Sequence, residues 1–129
     1  MLFEYKENYN LSLFDKLYFI KEQIRNNNYV LLPNTIAINN VYKITYSGNL
    51  QNDGYELGFL YLPKGSGIIN HTHTTDIEQY KLILGNLTVN GIVTNINRCM
   101  INESHNIDVV DTETFIETYK INYQKIKRR

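Results

Sequence analysis

Three histidines and one glutamate carry the clearest chemistry in this chain. His71 and His73 stand two residues apart in Gly65-Ser66-Gly67-Ile68-Ile69-Asn70-His71-Thr72-His73, and Glu78 follows after Thr74-Thr75-Asp76. In an extended strand successive side chains alternate faces, so both imidazoles point the same way. Their Cα atoms are then about 6.6 Å apart at a rise of ~3.3 Å per residue. From that separation two rings can converge on one ion with bonds of about 2.0–2.2 Å. Glu78, past the turn, is expected to return on the neighbouring strand. Two imidazoles and a carboxylate form a borderline-to-hard ligand set suited to iron, manganese, nickel or zinc.

The third histidine lies in Ile101-Asn102-Glu103-Ser104-His105-Asn106-Ile107-Asp108-Val109. The alternation puts Ile101, Glu103, His105, Ile107 and Val109 on one face and the polar residues on the other. His105 therefore points inward with an apolar set. Tyr80 and Glu103 each stand two residues from a proposed ligand, on the same face of its strand. Tyr80 could bond a substrate or orient Glu78, and Glu103 could act as a base or support a ligand. The plainer readings are a core tyrosine and a rim glutamate.

The spacing of Gly65, His71, His73, Glu78 and Gly85 resembles the first motif of the cupin superfamily. That motif is Gly, five residues, His-any-His, three or four residues, Glu, six residues, Gly, and every fixed position is filled. Of the second cupin motif only the metal-binding histidine has a counterpart, His105. Its Pro, Gly and Asn positions fall on Met100, Asn102 and Val109. The resemblance covers roughly residues 50 to 123. It implies a small double-stranded jelly-roll barrel holding a divalent transition metal through His71, His73, Glu78 and His105. It also implies one of several roles: a dioxygenase, isomerase or lyase acting on a small molecule, a non-catalytic module binding a sugar or small acid, or a protein whose metal is structural. Fold analogy alone does not choose among them. No cluster of Arg and Lys is evident on the strands to hold a pyrophosphate.

The elements that must position these residues read as all-β with one leading helix. Ser12 and Asp15 stand in capping-box positions, and Leu13, Leu17, Ile20 and Ile24, widened by Phe14 and Tyr18, form an apolar stripe. Lys16, Glu22, Gln23 and Arg25 are expected to face away, and Asn26-Asn27-Asn28 ends the helix. From Tyr29 onward the period is two. Strands are expected over 29–32, within 35–46, and over 55–62, 67–73, 77–84, 99–110 and 114–123. Residues 48–54 and 95–98 read as loops, and Asn90-Gly91 as the turn of a hairpin. Strand 77–84 places Glu78, Tyr80, Leu82 and Leu84 on one face. The expected core is Leu57, Phe59, Leu82, Leu84, Ile107, Val109 and Phe115. Such a pattern suggests a sandwich or barrel. Its expected organisation is a leading segment 1–49 packed on a core of 50–123, then a basic tail 124–129, all one domain.

Composition narrows the function classes. With 129 residues, 13 Lys and Arg against 13 Asp and Glu, the formal charge is zero. That argues against a general nucleic-acid binder, whose affinity rests on many cationic contacts to phosphate. The single Cys99 excludes an internal disulfide and reads as a small buried residue. No apolar run suggests a membrane span, and Met1–Glu7 lacks signal-peptide character. A cytoplasmic protein with a small-molecule ligand is expected, and the helix's apolar stripe suggests a homodimer.

Overall fold

The computed structural model describes residues 11–123; the basic tail and the Met1–Glu7 segment lie outside the described residues. The elements are α1 (Leu13–Arg25), β1 (Val30–Leu31), β2 (Ala37–Ile38), β3 (Tyr42–Ser47), α2 (Leu50–Asp53), β4 (Tyr55–Leu62), β5 (Gly67–Thr72), β6 (Asp76–Leu84), β7 (Thr88–Val89), β8 (Ile92–Val93), β9 (Ile96–Cys99), β10 (Ser104–Ile107) and β11 (Thr114–Asn122). The strands form a six-stranded sheet, β1-β3-β4-β11-β6-β9, and a five-stranded sheet, β2-β5-β10-β7-β8. All pairings are antiparallel. The two facing antiparallel sheets are those of the expected jelly roll, and among the described residues no ladder closes them into a barrel.

Each face of the six-stranded sheet buries one apolar cluster. Toward the five-stranded sheet, Leu60, Leu62, Tyr80 and Ile116 pack with Ala37, Ile68, Val89 and Ile107. On the other face α1 lays Ile20, with Leu17, Phe19 and Ile24, against Ile44, Leu57, Phe59, Phe115 and Tyr119. The helix begins where the sequence places it. Ser12 Oγ accepts from the Asp15 N–H at 3.1 Å and the Asp15 carboxylate accepts from the Ser12 N–H, so orphan donors of the first turn are satisfied.

The helix is rotated relative to its apolar stripe. Leu13, Phe14 and Tyr18 are exposed, while Lys16, expected to face away, is buried and donates to Glu117 at 2.7 Å. Lys16 and Ile20 are one turn apart, so the turn that docks Ile20 also docks Lys16.

Other differences follow from pairing that local pattern does not reveal. Residues 95–98 belong in part to β9, which pairs with β6 in a register setting Cys99 opposite Glu78. The 48–54 loop holds the short α2, capped by Asn49. The segment 99–110 is not one strand. A turn at Met100–Glu103, with Asn102 at φ +66°, precedes β10, and the β10–β5 register shifts between His105 and Ile107. Alternation cannot survive a turn and a bulge, so Val109 is exposed rather than in the core. Leu84, at the end of β6, is also exposed. Strand β11 lies inside its sheet, between β4 and β6. The hairpin at Asn90-Gly91 forms as expected, with φ values of +51° and +78°.

The two motif glycines have backbone reasons. Gly65 and Gly85 adopt φ +89° and +108° on either side of the β5–β6 unit. A Cβ on Gly85 would meet Glu113 O and Thr114 Oγ1 at 2.6 Å, so this turn requires glycine.

Candidate metal centre

The two sheets bring the four proposed ligands together. Strand β5 carries His71, and His73 follows just past its end, its N–H donating to Glu103 O at 3.3 Å. His105 on β10 is the direct cross-strand partner of His71. Glu78 comes from β6, which does not pair with β5. The turn after His73 crosses to the opposite sheet, and the carboxylate faces the histidines across the sandwich.

One donor atom from each of His71, His73, Glu78 and His105 lies within 4.8 Å of the others. His73 Nε2 and His105 Nε2 are 3.0 Å apart, and Glu78 Oε1 is 3.1 Å and 3.2 Å from them. Three donors each about 2.1 Å from one ion are about 3.0 Å apart at octahedral angles and about 3.4 Å at tetrahedral ones. The observed spacing therefore fits a divalent ion, nearer the octahedral value.

Proton placement supports the same reading. His71 Nδ1 is 2.9 Å from Ile69 O, a group that only accepts. Nδ1 therefore carries the proton, and in the neutral ring Nε2 keeps its lone pair. Burial lowers the His71 pKa from its ordinary 6.5, which favours that neutral form. His105 Nδ1 is 3.1 Å from Asn97 Oδ1, so His105 is likewise oriented with Nε2 toward the cluster. These are the tautomers that metal ligation requires.

Glu78 is almost wholly enclosed. Burial opposes its ionisation, yet Lys120, then His105 and His73, hold its carboxyl well below the ordinary 4.5. Lys120 Nζ lies 3.6 Å from Glu78 Oε2, and the charge of Glu78 raises the lysine in return. Tyr80 is buried, with its ring stacked on His105 at 4.8 Å and 4°. Burial, then the charge of Glu78 and a hydrogen bond to it, push the Tyr80 hydroxyl well above 10. It remains a proton donor.

Glu103 is not gathered with the others. It is exposed in the turn before β10, and its Oε1 accepts from the Met100 N–H at 2.7 Å. Cys99 is buried beside Glu78, and burial pushes its thiol up to about 11, which makes it inert at neutral pH.

A cavity of ≈ 90 Å³ opens onto His71, His73 and Glu78. Its apolar wall is Leu32, Ile36, Leu60 and Ile68, and Lys43, Thr118 and Lys120 add polar groups. Two lysines on this wall, paired with Glu56 and Glu78, are not evident from the sequence pattern. Lys43 and Lys120 are far apart in sequence, and only the order β3-β4-β11 places them on one face. Asn97 was equally invisible, because its segment reads as a loop. The alternation of 114–122 could have flagged Lys120 as facing with Thr118, had the neighbouring strands been known.

No protein-family model matches the chain, and no curated protein sequence matches it significantly. Solved structures do resemble it. A predicted oxalate decarboxylase from Thermotoga maritima superposes with a TM-score of 0.62 at 20% identity, over 74% of this chain and 92% of the other. An acetylacetone dioxygenase from Acinetobacter johnsonii gives 0.60 at 14%, over 94% and 77%. A cupin domain from Schizosaccharomyces pombe gives 0.55 at 11%, over 78% and 74%. The chain therefore has the cupin fold, as its first motif implies, with a possible His/His/Glu/His metal site. No helix among the described residues is long and apolar enough to cross a membrane.

Proposed function

We propose that this chain is a metal-dependent enzyme acting on a small molecule, of dioxygenase, isomerase or lyase type. Its metal would be a divalent ion of iron, manganese, nickel or zinc held by His71, His73, Glu78 and His105. The observation that carries the reading is the convergence of four donors, two with their tautomers set by neighbours, three of which line an open cavity. Catalytic metal sites keep a position open to substrate, whereas structural sites are closed by protein ligands. When bound, the metal would supply Lewis acidity toward a substrate oxygen or an open position for a co-substrate.

The chain's own residues hold and shape the site. Asn97 and Ile69 O fix the orientation of two rings. Tyr80 clamps the site from one side, its ring stacked on His105, and acts as a positioning residue. Glu103 supports the turn that leads into β10, and this contact favours that role over one as a base. Leu32, Ile36, Leu60 and Ile68 give the region beside the ligands an apolar wall. The exposed Leu13, Phe14 and Tyr18 of α1 support association of two copies as a further element of this proposal.

The test is elemental analysis of protein purified without affinity tag or chelator, beside the His71→Ala/His73→Ala double variant. The expected result is about one transition metal per chain in the wild type and none in the variant. Full metal occupancy in the variant would sink the assignment.

A further inference from the structure

The inner face of the six-stranded sheet carries a row of charges that extends beyond the proposed ligand Glu78. Lys120 on β11 is the cross-strand partner of Glu56 on β4 and of Glu78 on β6. Lys43 on β3 reaches Glu56 Oε1 at 2.9 Å. Two lysines and two glutamates balance one another. A divalent ion at the histidine cluster leaves its two charges uncancelled in a largely apolar cavity. Enclosed charge without a counterion is costly. At 3.6 Å Lys120 is ion-paired with Glu78 but lies beyond ordinary hydrogen-bond length, so its ammonium can donate to a further oxygen without giving up that pairing. Both lysines and Thr118 line the same cavity as His71, His73 and Glu78.

We infer that the cavity takes a small organic anion, its carboxylate paired by Lys43 and Lys120 and a second oxygen facing the histidine–glutamate cluster. A volume of ≈ 90 Å³ beside the ligands suits a small head group, about the size of a few waters. The class is therefore small 2-oxo or 2-hydroxy acids, with their first carbons against Leu60 and Ile68. The metal end and the charge imbalance that calls for an anion rest on the reading proposed above; the placement of both lysines on the cavity wall does not.

The experiment is calorimetric titration of metal-loaded protein with pyruvate, with pyruvamide, which is isosteric and uncharged, and with inorganic phosphate. Wild type is expected to bind pyruvate at least about tenfold more tightly than pyruvamide. Lys43→Met, whose ion pair is with Glu56 and not with a proposed ligand, should remove most of that preference while leaving pyruvamide affinity within about twofold and metal content unchanged, and Lys120→Met, read at saturating metal because Lys120 faces Glu78, should remove it as well. Where Lys120→Met does not fold, Lys43→Met carries the test, since its side chain is 31% exposed. Equal affinities for pyruvate and pyruvamide, a preference that survives both substitutions, or phosphate binding as tightly as pyruvate would overturn the inference. If the purified protein takes up no metal, the metal reading fails separately. Pyruvate binding to the metal-free protein that depends on Lys43 would still support the anion site, and binding independent of it would refute it.

Discussion

Glu78 and Glu117 are buried on opposite faces of the same sheet, each beside a lysine, yet their environments pull them apart. Glu78 faces the five-stranded sheet. Lys120 and two imidazoles offset its burial, and its carboxyl is held well below 4.5. Glu117 faces α1. Lys16 donates to it at 2.7 Å, but apolar packing surrounds the pair and burial pushes its carboxyl up to about 7. One glutamate sits where polar groups converge and a cavity opens. The other sits where an amphipathic helix closes over a sheet. A buried carboxylate is therefore not in itself a sign of a site. Several uncommitted lone pairs and an open volume beside it make the difference.

Breaking the helix-side pair should have the largest effect. Lys16→Met takes the ammonium away from buried Glu117, whose carboxyl can then go neutral, and is expected to cost roughly 1–3 kcal/mol, read as a lowered urea midpoint. The Lys16→Met/Glu117→Leu double variant should recover most of that loss. A Lys16→Met protein as stable as wild type would show that the pair does not hold the helix.

Carboxyl titration by NMR on metal-free protein sharpens the contrast directly. Glu117 is expected to titrate near 7 and Glu78 below 4.5. The signs for stability are opposite. The lowered Glu78 contributes stability that is present above about pH 4.5 and is lost as pH falls through its folded pKa. The raised Glu117 favours the protonated fold, so its contribution declines as pH rises from about 4.5 to about 7. Two similar titration curves would erase the distinction drawn between the faces.

A smaller effect is expected at Asn97. Asn97→Ala frees the His105 ring to rotate and should weaken metal binding by about 10–100-fold, measured by competition with a chromogenic chelator, with little change in unfolding. The smallest effect belongs to metal removal. Chelation should leave the far-ultraviolet circular dichroism nearly unchanged, because both apolar clusters stand without the four ligands. Loss of the β signal would instead make the metal structural.

What the sequence by itself determined was local. The spacing of His71, His73 and Glu78, the glycines at the turns flanking them, the Asn90-Gly91 hairpin and the capping box of α1 depend on residues a few positions apart. For these, strand alternation and turn chemistry suffice. The inward direction of His105 was also legible, although the long strand inferred around it breaks at Asn102 and bulges before Ile107. What only the tertiary structure decided was every contact made across sheets or across strands distant in sequence. These include Glu78 facing the histidines from the opposite sheet, Asn97 behind His105, Lys43 and Lys120 in one cavity, and Lys16 turned in against Glu117. The reason is that a strand's own pattern says which residues share a face but not which strand lies beside it or which sheet lies opposite. Those partners are chosen by the packing of two apolar clusters over the whole chain.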